Sequence, residues 1–251
     1  MCLVVTLRSP GMDVVEAFEP EGVVAVVGAG GKKSTLYALA AELERSVLTA
    51  TVRIPPFEGH VARLVVTDDP VATLADNDDW PLGLTPAREE SRDRYLGYDT
   101  RVVDDLGKAA TVPVLVKADG ARTRWLKAPA EDEPQIPATS SVVVPVASVR
   151  SVGERLSEEH VHRPERVAAL TGLTVGDRID AEAIATVLTH GDGGMKGVPH
   201  GARVVPLLNM VDDEDLEATA REIADDLLDH PRIDRVVLGR MDLRRVVGVV
   251  T

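Results

Sequence analysis

The residues that most clearly predict chemistry in this sequence form a glycine-rich stretch followed by two lysines and two hydroxyl side chains. Glycine allows a ligand to approach the backbone closely. If a helix begins at the lysines, its unpaired first-turn N–H groups and its partial positive charge point into the glycine stretch, which suits a phosphate chain. The candidate phosphate-binding residues are Gly28, Ala29, Gly30, Gly31, Lys32, Lys33, Ser34 and Thr35.

The sequence on each side of the glycine-rich stretch indicates the secondary-structure element that positions it. Residues 23–27 are apolar and mostly β-branched, as in a parallel strand that is buried on both faces. From Lys32 onward apolar residues recur at helical spacing, with Leu36, Leu39 and Leu43 on one stripe. The sequence therefore predicts a strand, a glycine loop and a helix in direct succession.

That arrangement resembles the phosphate-binding loop with the pattern G-x-x-x-x-G-K-[ST], in which the lysine binds phosphate and the hydroxyl binds Mg²⁺. The match is imperfect in both possible registers. If Lys32 is the motif lysine, Lys33 stands where the hydroxyl belongs. If Lys33 is the motif lysine, Ser34 supplies the hydroxyl but Lys32 stands where the glycine belongs. We predict that Lys32 binds phosphate and that Ser34 or Thr35 lies near the metal. Neighbouring side chains on a helix diverge, so we expect Lys33 to point elsewhere. The alternatives are a glycine-rich turn that caps an ordinary helix, and a dinucleotide fingerprint that lacks its third glycine.

A second predicted site follows the apolar strand at residues 112–118. Asp119 and Gly120 come directly after it, at the end of a strand where α/β sheets place residues that handle ligands. An aspartate at this point can hold the Mg²⁺ of a bound nucleotide, and Arg122 can contact phosphate. The alternative is that Asp119 and Gly120 only turn the chain.

Two further strand ends carry polar candidates. Thr51, in a predicted strand at residues 47–52, delivers a hydroxyl toward Mg²⁺, unless the threonines of this strand are only β-branched strand formers. Asn209 and Asp212 resemble the N-K-x-D element with which GTPases read guanine, although the lysine is missing. Asp212 is equally suited to capping the helix predicted at residues 214–228.

A proline-rich stretch at residues 127–137 runs past the same edge of the predicted sheet. Its prolines exclude a helix and a central strand, so we expect a semi-rigid loop that carries one cation and three carboxylates. The cation, Lys127, is a candidate for balancing charge that develops during phosphate chemistry. A packed crossover without a functional role is the alternative.

The composition indicates an acidic protein. The 251 residues carry a formal charge of −13, spread through Asp-Asp pairs, which argues against nucleic acid as a partner. Only six of the 28 basic residues are lysine, which indicates adaptation to a salty cytoplasm, as in halophilic organisms, although GC-rich coding also replaces lysine by arginine. Without a run of about 18 apolar residues or a signal-peptide pattern, we expect a cytoplasmic protein with no membrane partner. The one cysteine, Cys2, excludes an intrachain disulfide.

Alternation of strands and helices predicts a doubly wound α/β fold of P-loop NTPase type with a mostly parallel sheet. We expect a single domain over residues 1–251, with an irregular insertion at about 54–110 that contains one strand at 63–66. The predicted sheet strands are residues 23–27, 47–52, 112–118, 141–146, 203–208 and 235–239, with a candidate edge strand at 246–250. Besides the helix after the glycine loop, helices are predicted at residues 13–18, 164–171, 180–189 and 214–228.

Taken together, several motifs make the chain similar to the YqeC family. The matching motifs are residues 28–32, 49–51, 118–122, 126–130, 133–134, 161–165, 195–199 and 207–209, so the resemblance covers nearly the whole chain. Members of that family are described as accessory factors for selenium-dependent molybdenum hydroxylases. The chain departs from the family pattern at Lys33, where threonine or serine is usual, at Asp132, where histidine is usual, and at Met210, where lysine is usual.

The motifs and the resemblance together predict an accessory protein that binds a nucleoside triphosphate, ATP or GTP, with Mg²⁺, and hydrolyses it slowly. In this hypothesis Asp119, Arg122 and Lys127 serve catalysis. The predicted metal ligands are Ser34, Thr35, Thr51 and Asp119. The resemblance implies a molybdenum hydroxylase, or proteins that mature its selenium cofactor, as partners. A nucleotidyl or phosphoryl transferase with a small acceptor, and a non-catalytic binding module gated by nucleotide, are the alternatives.

Overall fold

The structure, a computed structural model, describes residues 12–251. Cys2 and the apolar segment at residues 3–5 lie outside this range. The helices are α1 (Val14–Phe18), α2 (Lys32–Glu42), α3 (Pro70–Ala75), α4 (Thr100–Ala109), α5 (Pro164–Thr171), α6 (Ala181–Thr189) and α7 (Glu214–Leu228). The strands are β1 (Val23–Gly28), β2 (Val47–Ala50), β3 (Arg63–Val66), β4 (Leu82–Thr85), β5 (Arg88–Glu89), β6 (Arg94–Tyr95), β7 (Val114–Lys117), β8 (Leu126–Lys127), β9 (Ser140–Ser148), β10 (Val161–His162), β11 (Arg203–Val204), β12 (Leu207–Asn209), β13 (Val236–Arg240) and β14 (Arg245–Val250).

One large sheet runs through the centre of the described residues. Its strands follow the order β14-β13-β12-β9-β1-β7-β2-β4-β3, and β11 also pairs with β9. The pairings within it are parallel except for the antiparallel pairing of β13 with β14 at one edge. The prediction of a doubly wound α/β fold with a mostly parallel sheet is confirmed.

Helices pack against both faces of the sheet. Successive side chains of a strand point alternately to these two faces. Val24 of β1 packs in a hydrophobic cluster with residues of α1 and α2. Its neighbour Val23 packs with Val103 and Leu106 of α4 in a different cluster. Farther along the sheet, Leu208 of β12 packs with residues of α6 and α7. Helices therefore cover both faces, and the core is built mainly from valine, leucine and alanine.

Residues 54–110 contain more regular structure than their sequence predicts. The expected strand at 63–66 is present as β3, and β4 pairs with both β2 and β3 to extend the central sheet. Two helices, α3 and α4, lie in the same segment. Asp69 and Asp99 cap these helices by accepting hydrogen bonds from the N–H groups of Ala72 and Arg101.

The other predicted strands are present with shifted ends. Residues 203–208 split into β11 and β12 around Pro206, since proline has no N–H to donate to a strand ladder. The strand β9 extends to Ser148, two residues beyond its predicted end, and Val146 pairs with Gly28 at the start of the glycine loop. Within residues 12–251, no helix combines the length and the apolar character that crossing a bilayer requires.

Candidate functional site

The candidate site lies where parallel strands of the sheet end side by side. The strands β1, β7 and β2 are adjacent and parallel, so the loops that leave their carboxyl ends meet at one edge of the sheet. The glycine loop leaves β1, and Asp119 follows β7 by two residues. The sheet therefore brings the two strongest sequence motifs together.

The glycine loop depends on the absence of side chains at two of its positions. Gly28 has a φ of +88°, and a Cβ there would lie 2.3 Å from the carbonyl oxygen of Val146. Gly31 has a φ of +133°, and a Cβ there would lie 2.0 Å from the side-chain nitrogen of Asn209. Gly31 also precedes α2 and provides no side-chain cap, so the first-turn N–H groups of the helix are left for a ligand.

Asp119 is closed off from solvent between two lysines. Its residue is 1% exposed, and Oδ2 accepts a hydrogen bond of 2.9 Å from the N–H of Gly28. The Nζ of Lys127 lies 3.0 Å from the same oxygen. The Nζ of Lys32 lies 2.8 Å from Oδ1, in a geometry that makes an ion pair but not a hydrogen bond. The predicted metal-binding carboxylate is thus neutralised within the protein.

Lys32, the predicted phosphate lysine, turns inward. It is 6% exposed, and its Nζ also donates to the carbonyl oxygen of Gly28. Burial lowers the pKa of Lys32 from its ordinary value, and the nearby Asp119 carboxylate opposes that shift. Lys32 therefore ties the glycine loop to Asp119, two residues beyond the end of β7.

The charged contacts continue from Lys127 to a second carboxylate. The Nζ of Lys127 donates to the carbonyl oxygen of Gly120 at 2.6 Å and to Glu133 at 2.7 Å. Arg163 donates two hydrogen bonds, of 2.9 and 3.3 Å, to the same glutamate. Burial would raise the pKa of Glu133, but the hydrogen bonds from Arg163 and Lys127 outweigh it and lower that pKa to about 2. The proline-rich loop is therefore held to the start of α5 by a fully ionised group.

A cleft of about 390 Å³ opens on the outer side of the glycine loop. Its fifteen lining residues include seven basic ones and, in the described part of the chain, no aspartate or glutamate. The basic residues are Lys32, Lys33, Arg53, Arg94, Lys117, Arg122 and Arg124. In a chain with a formal charge of −13, this is a local concentration of positive charge that suits a polyanion.

Lys117 is the most unusual of these basic residues. It ends β7 with 7% exposure, and its Nζ donates hydrogen bonds of 2.8 Å to the carbonyl oxygens of Arg53 and Asp119. Burial, assisted by repulsion from Lys32, lowers the pKa of Lys117 to about 7. Lys117 is not among the residues predicted for the site, although a lysine inside an otherwise apolar strand was an available signal.

The predicted hydroxyl ligands are separated in the structure. Ser34 lines the cleft beside Lys33, so Lys33 does not point away as expected. Thr35 is buried, and its hydroxyl donates to the carbonyl oxygen of Gly31 at 3.1 Å. The Thr51 hydroxyl donates to the carbonyl oxygen of Gln135 at 2.6 Å, in the proline-rich loop. Of the three, only Ser34 faces the cleft that Arg122 also lines.

Asn209 and Asp212, the predicted base-reading residues, are both engaged within the protein. Asn209 is 2% exposed, donates to the carbonyl oxygen of Gly30 at 2.7 Å and accepts from the N–H of Met241 at 3.0 Å. Asp212 pairs with Arg150 and lies 3.0 Å from the Nε of Arg240. These contacts connect the glycine loop with the ends of β12 and β13.

The alternative that Asp212 caps α7 is wrong. The cap is the next residue, Asp213, whose side chain accepts a hydrogen bond of 2.9 Å from the N–H of Leu216. Asp212 cannot do both, since its carboxylate is held by Arg150 and Arg240.

The donor set fits a triphosphate better than it fits Mg²⁺. Phosphate oxygens would find hydrogen-bond donors in the first-turn N–H groups of α2 and in the basic side chains of the cleft. Mg²⁺ prefers several oxygen ligands in octahedral geometry, whereas both oxygens of Asp119 face ammonium groups within 3.0 Å. Residues 12–251 also hold no cluster of three or more His, Cys, Asp or Glu side chains placed to bind a metal. Asp119 does not fit a Mg²⁺ ligand in this arrangement.

Comparison with known proteins supports the family resemblance that the sequence motifs indicate. The sequence model of a family described as "YqeC protein" matches residues 24–165, which include the glycine loop, Asp119 and Arg163. The chain is also 30% identical over 226 residues to "Uncharacterized protein YqeC" of Escherichia coli (strain K12), covering 86% of each chain. No solved structure is significantly similar to the chain.

Proposed function

This chain belongs to the YqeC family, and we propose that it binds a nucleoside triphosphate, ATP or GTP, in the cationic cleft at the start of α2. The observation that carries the proposal is the convergence of seven basic side chains on a glycine loop, with no carboxylate on the wall of the cleft among the described residues. A helix start and basic side chains are the two devices with which proteins hold phosphate chains.

The cleft is large enough for a nucleotide and offers one surface to its phosphates and another to its base. Its volume of about 390 Å³ lies within the range of roughly 300 to 1,000 Å³ that is usual for small-molecule sites. Phosphates would lie against the glycine loop, Lys33 and Ser34. Pro55, Arg94 and Met210 line the cleft as well and offer apolar and cationic surface to a base.

Slow hydrolysis is part of the proposal. Arg122 lines the cleft and is suited to countering the negative charge that develops on the terminal phosphate. Lys127 lies behind Asp119, so it acts as a positioning residue that holds this carboxylate and, through it, Lys32. The chemistry that this chain supplies is therefore charge stabilisation and orientation.

The closure of Asp119 by two lysines favours a second candidate, binding of nucleotide without turnover. A carboxylate at 1% exposure cannot orient a water molecule or accept its proton unless the lysines move. Measurement of phosphate release at saturating ATP and GTP separates the two candidates. Tight binding with no release supports the binding module.

We extend the proposal to partners on the basis of the family resemblance alone. The nucleotide-bound protein would act in the cytoplasm as an accessory factor for a molybdenum hydroxylase, or for the proteins that mature its selenium cofactor. Copurification of such a hydroxylase with the tagged full chain, in the presence and absence of ATP, tests this part separately from nucleotide binding.

Isothermal titration with ATP, GTP and CTP tests the central proposal. We expect dissociation constants below about 1 mM for ATP or GTP, which corresponds to about −4 kcal/mol or better. Arg122→Gln should weaken binding about tenfold, because it removes one charge-assisted contact. Arg101→Gln, on the exposed side of α4 and outside the cleft, is the matched control and should bind as the wild type does. Absence of millimolar binding by any triphosphate would refute the proposal.

A further inference from the structure

We propose that the cleft binds its triphosphate without Mg²⁺, and that four basic side chains take the place of the metal. The inference rests on the proposed nucleotide-binding function and specifies the ionic form of the ligand. The four side chains are Lys33, Arg94, Arg122 and Arg124.

With Lys32 as the motif lysine, Lys33 occupies the position at which a phosphate-binding loop carries its metal-binding hydroxyl. The helix α2 begins at Lys32, and in the motif the residue after the lysine is serine or threonine. Here that residue is a second lysine, and its side chain lines the cleft. A lysine cannot ligate Mg²⁺ while it is protonated, but its ammonium group can contact the same phosphate oxygens that the metal would bridge.

The strand-end carboxylate that would complete a metal site is already occupied. Asp119 has one lysine at 2.8 Å and another at 3.0 Å, and it accepts the N–H of Gly28 as well. A Mg²⁺ ion would have to displace a lysine from a carboxylate that is 1% exposed. The displaced ammonium group would then lie in the same pocket as a divalent cation, which is electrostatically unfavourable.

The uncompensated positive charge of the cleft matches a metal-free triphosphate. Two of its seven basic residues are paired with carboxylates, because Lys32 pairs with Asp119 and the Nε of Arg53 lies 2.7 Å from Glu89. A third, Lys117, is buried, and its Nζ donates to two backbone carbonyls inside the protein. Among residues 12–251, the remaining four form no ion pair with an acidic side chain: Lys33, Arg94, Arg122 and Arg124.

A terminal phosphate becomes doubly charged above its second pKa of about 6, which gives a fully ionised triphosphate about four negative charges. Four cations without a carboxylate partner balance this charge, whereas bound Mg²⁺ would cancel about half of it and weaken the attraction. Metal-free ATP should therefore bind more tightly than its Mg²⁺ complex.

The test compares ATP titrations of the full chain in EDTA and in excess Mg²⁺, at pH 7 and matched ionic strength. We expect the dissociation constant in EDTA to be at least about threefold lower than in Mg²⁺. Equal affinity, or tighter binding in Mg²⁺, would overturn the inference while leaving the proposed function intact. Absence of binding in both buffers would refute both. This comparison uses the wild-type protein and does not depend on the folding of a variant.

A substitution tests the role assigned to Lys33. Lys33→Ser restores the motif hydroxyl, and we expect it to weaken ATP binding in EDTA about tenfold and to abolish the preference for EDTA over Mg²⁺. Lys108→Ser, which removes an exposed lysine of α4 that pairs with Asp105, is the matched control and should keep the wild-type preference. An unchanged preference in Lys33→Ser, with an unchanged melting curve, would overturn the assignment of Lys33 to the position of the metal.

Discussion

At the scale of single residues, Lys32 and Lys33 are neighbours with different tasks. Lys33→Ala should weaken triphosphate binding about tenfold with little change in thermal stability, because its side chain lies in the cleft. Lys32→Ala should lower the free energy of unfolding by about 1 to 3 kcal/mol, because it removes one of the two cations beside the buried Asp119 and leaves Lys127 and the N–H of Gly28. Titration calorimetry and thermal melts of both variants measure the two effects. A stability loss in Lys33→Ala and none in Lys32→Ala would reverse the assignment.

Glu133 predicts an acid-dependent part of the stability. Its pKa in the folded protein is about 2, below the ordinary 4.5, so its contribution is fully present above pH 4.5 and is lost as the pH falls toward 2. Glu133→Gln should therefore lower the urea midpoint at pH 7, and the difference from the wild type should shrink between pH 4.5 and 2. Asp132→Asn, at the exposed neighbouring position, is the control. A difference that stays constant over this pH range would contradict the prediction.

The residues of the site were only partly predictable from sequence. Asp119 and Lys127 could be selected because one follows a predicted strand and the other begins the proline-rich stretch, although Lys127 itself lies in the short strand β8. Glu133 and Arg163 could not be paired, since thirty positions separate them and only the fold brings them to 2.9 Å. Arg53 directly follows the strand predicted at residues 47–52, which was an available signal. Arg94 comes from a segment without periodicity, so nothing around it indicated that it would line the cleft.

At the scale of elements, the site should tolerate a methyl group in the turn after β7 but not in the glycine loop after β1. Gly31→Ala places a Cβ against Asn209 at a positive φ, and we expect it to destabilise the fold by about 1 to 3 kcal/mol and to weaken nucleotide binding. Gly120→Ala meets nothing within 4 Å and has no positive φ, so its effect should stay within about 1 kcal/mol and could be stabilising. Chemical denaturation of the two variants measures the contrast, and equal losses would contradict it.

The elements themselves were predicted where the pattern was long and strong. The helices α5 and α7 begin and end at the predicted residues. The strand β4 was missed because it is four residues long, contains a glycine and lies between prolines. The helix α4 was missed although its apolar residues recur at helical spacing and bury Val103 and Leu106, because two aspartates and a glycine make the segment polar on average.

At the scale of the whole molecule, salt should act in opposite directions on stability and on binding. Screening of the dispersed negative charge should raise the melting temperature by at least about 2 °C between 0.1 and 2 M KCl, the equivalent of roughly 1 kcal/mol for a chain of this size. The same screening should weaken ATP binding in the cationic cleft. Thermal melts and titrations along one KCl series test both trends. A melting temperature that falls with salt would contradict the interpretation of the acidic composition.

The parallel sheet could be predicted from the alternation of elements, but its strand order could not. The strand β7 lies between β1 and β2, although more than sixty residues separate it from β2 along the chain. The place of β7 in the strand order depends on how the connecting segments pack against the complete sheet, and no local sequence pattern indicates it. The same order creates the cleft, because it places Lys117 and Asp119 beside the glycine loop.

The burial of Lys32, Lys117 and Lys127 has a consequence for the reactivity of the folded chain toward amine-acylating reagents. These three have exposures of 6%, 7% and 3%, and the remaining lysines are Lys33, Lys108 and Lys196. Acetylation followed by peptide mass spectrometry should modify Lys108 first and the buried three only after denaturation. ATP should shield Lys33 without affecting Lys108. The pattern of acylated lysines would therefore report on the occupancy of the cleft in a protein that offers very few other side chains to such reagents.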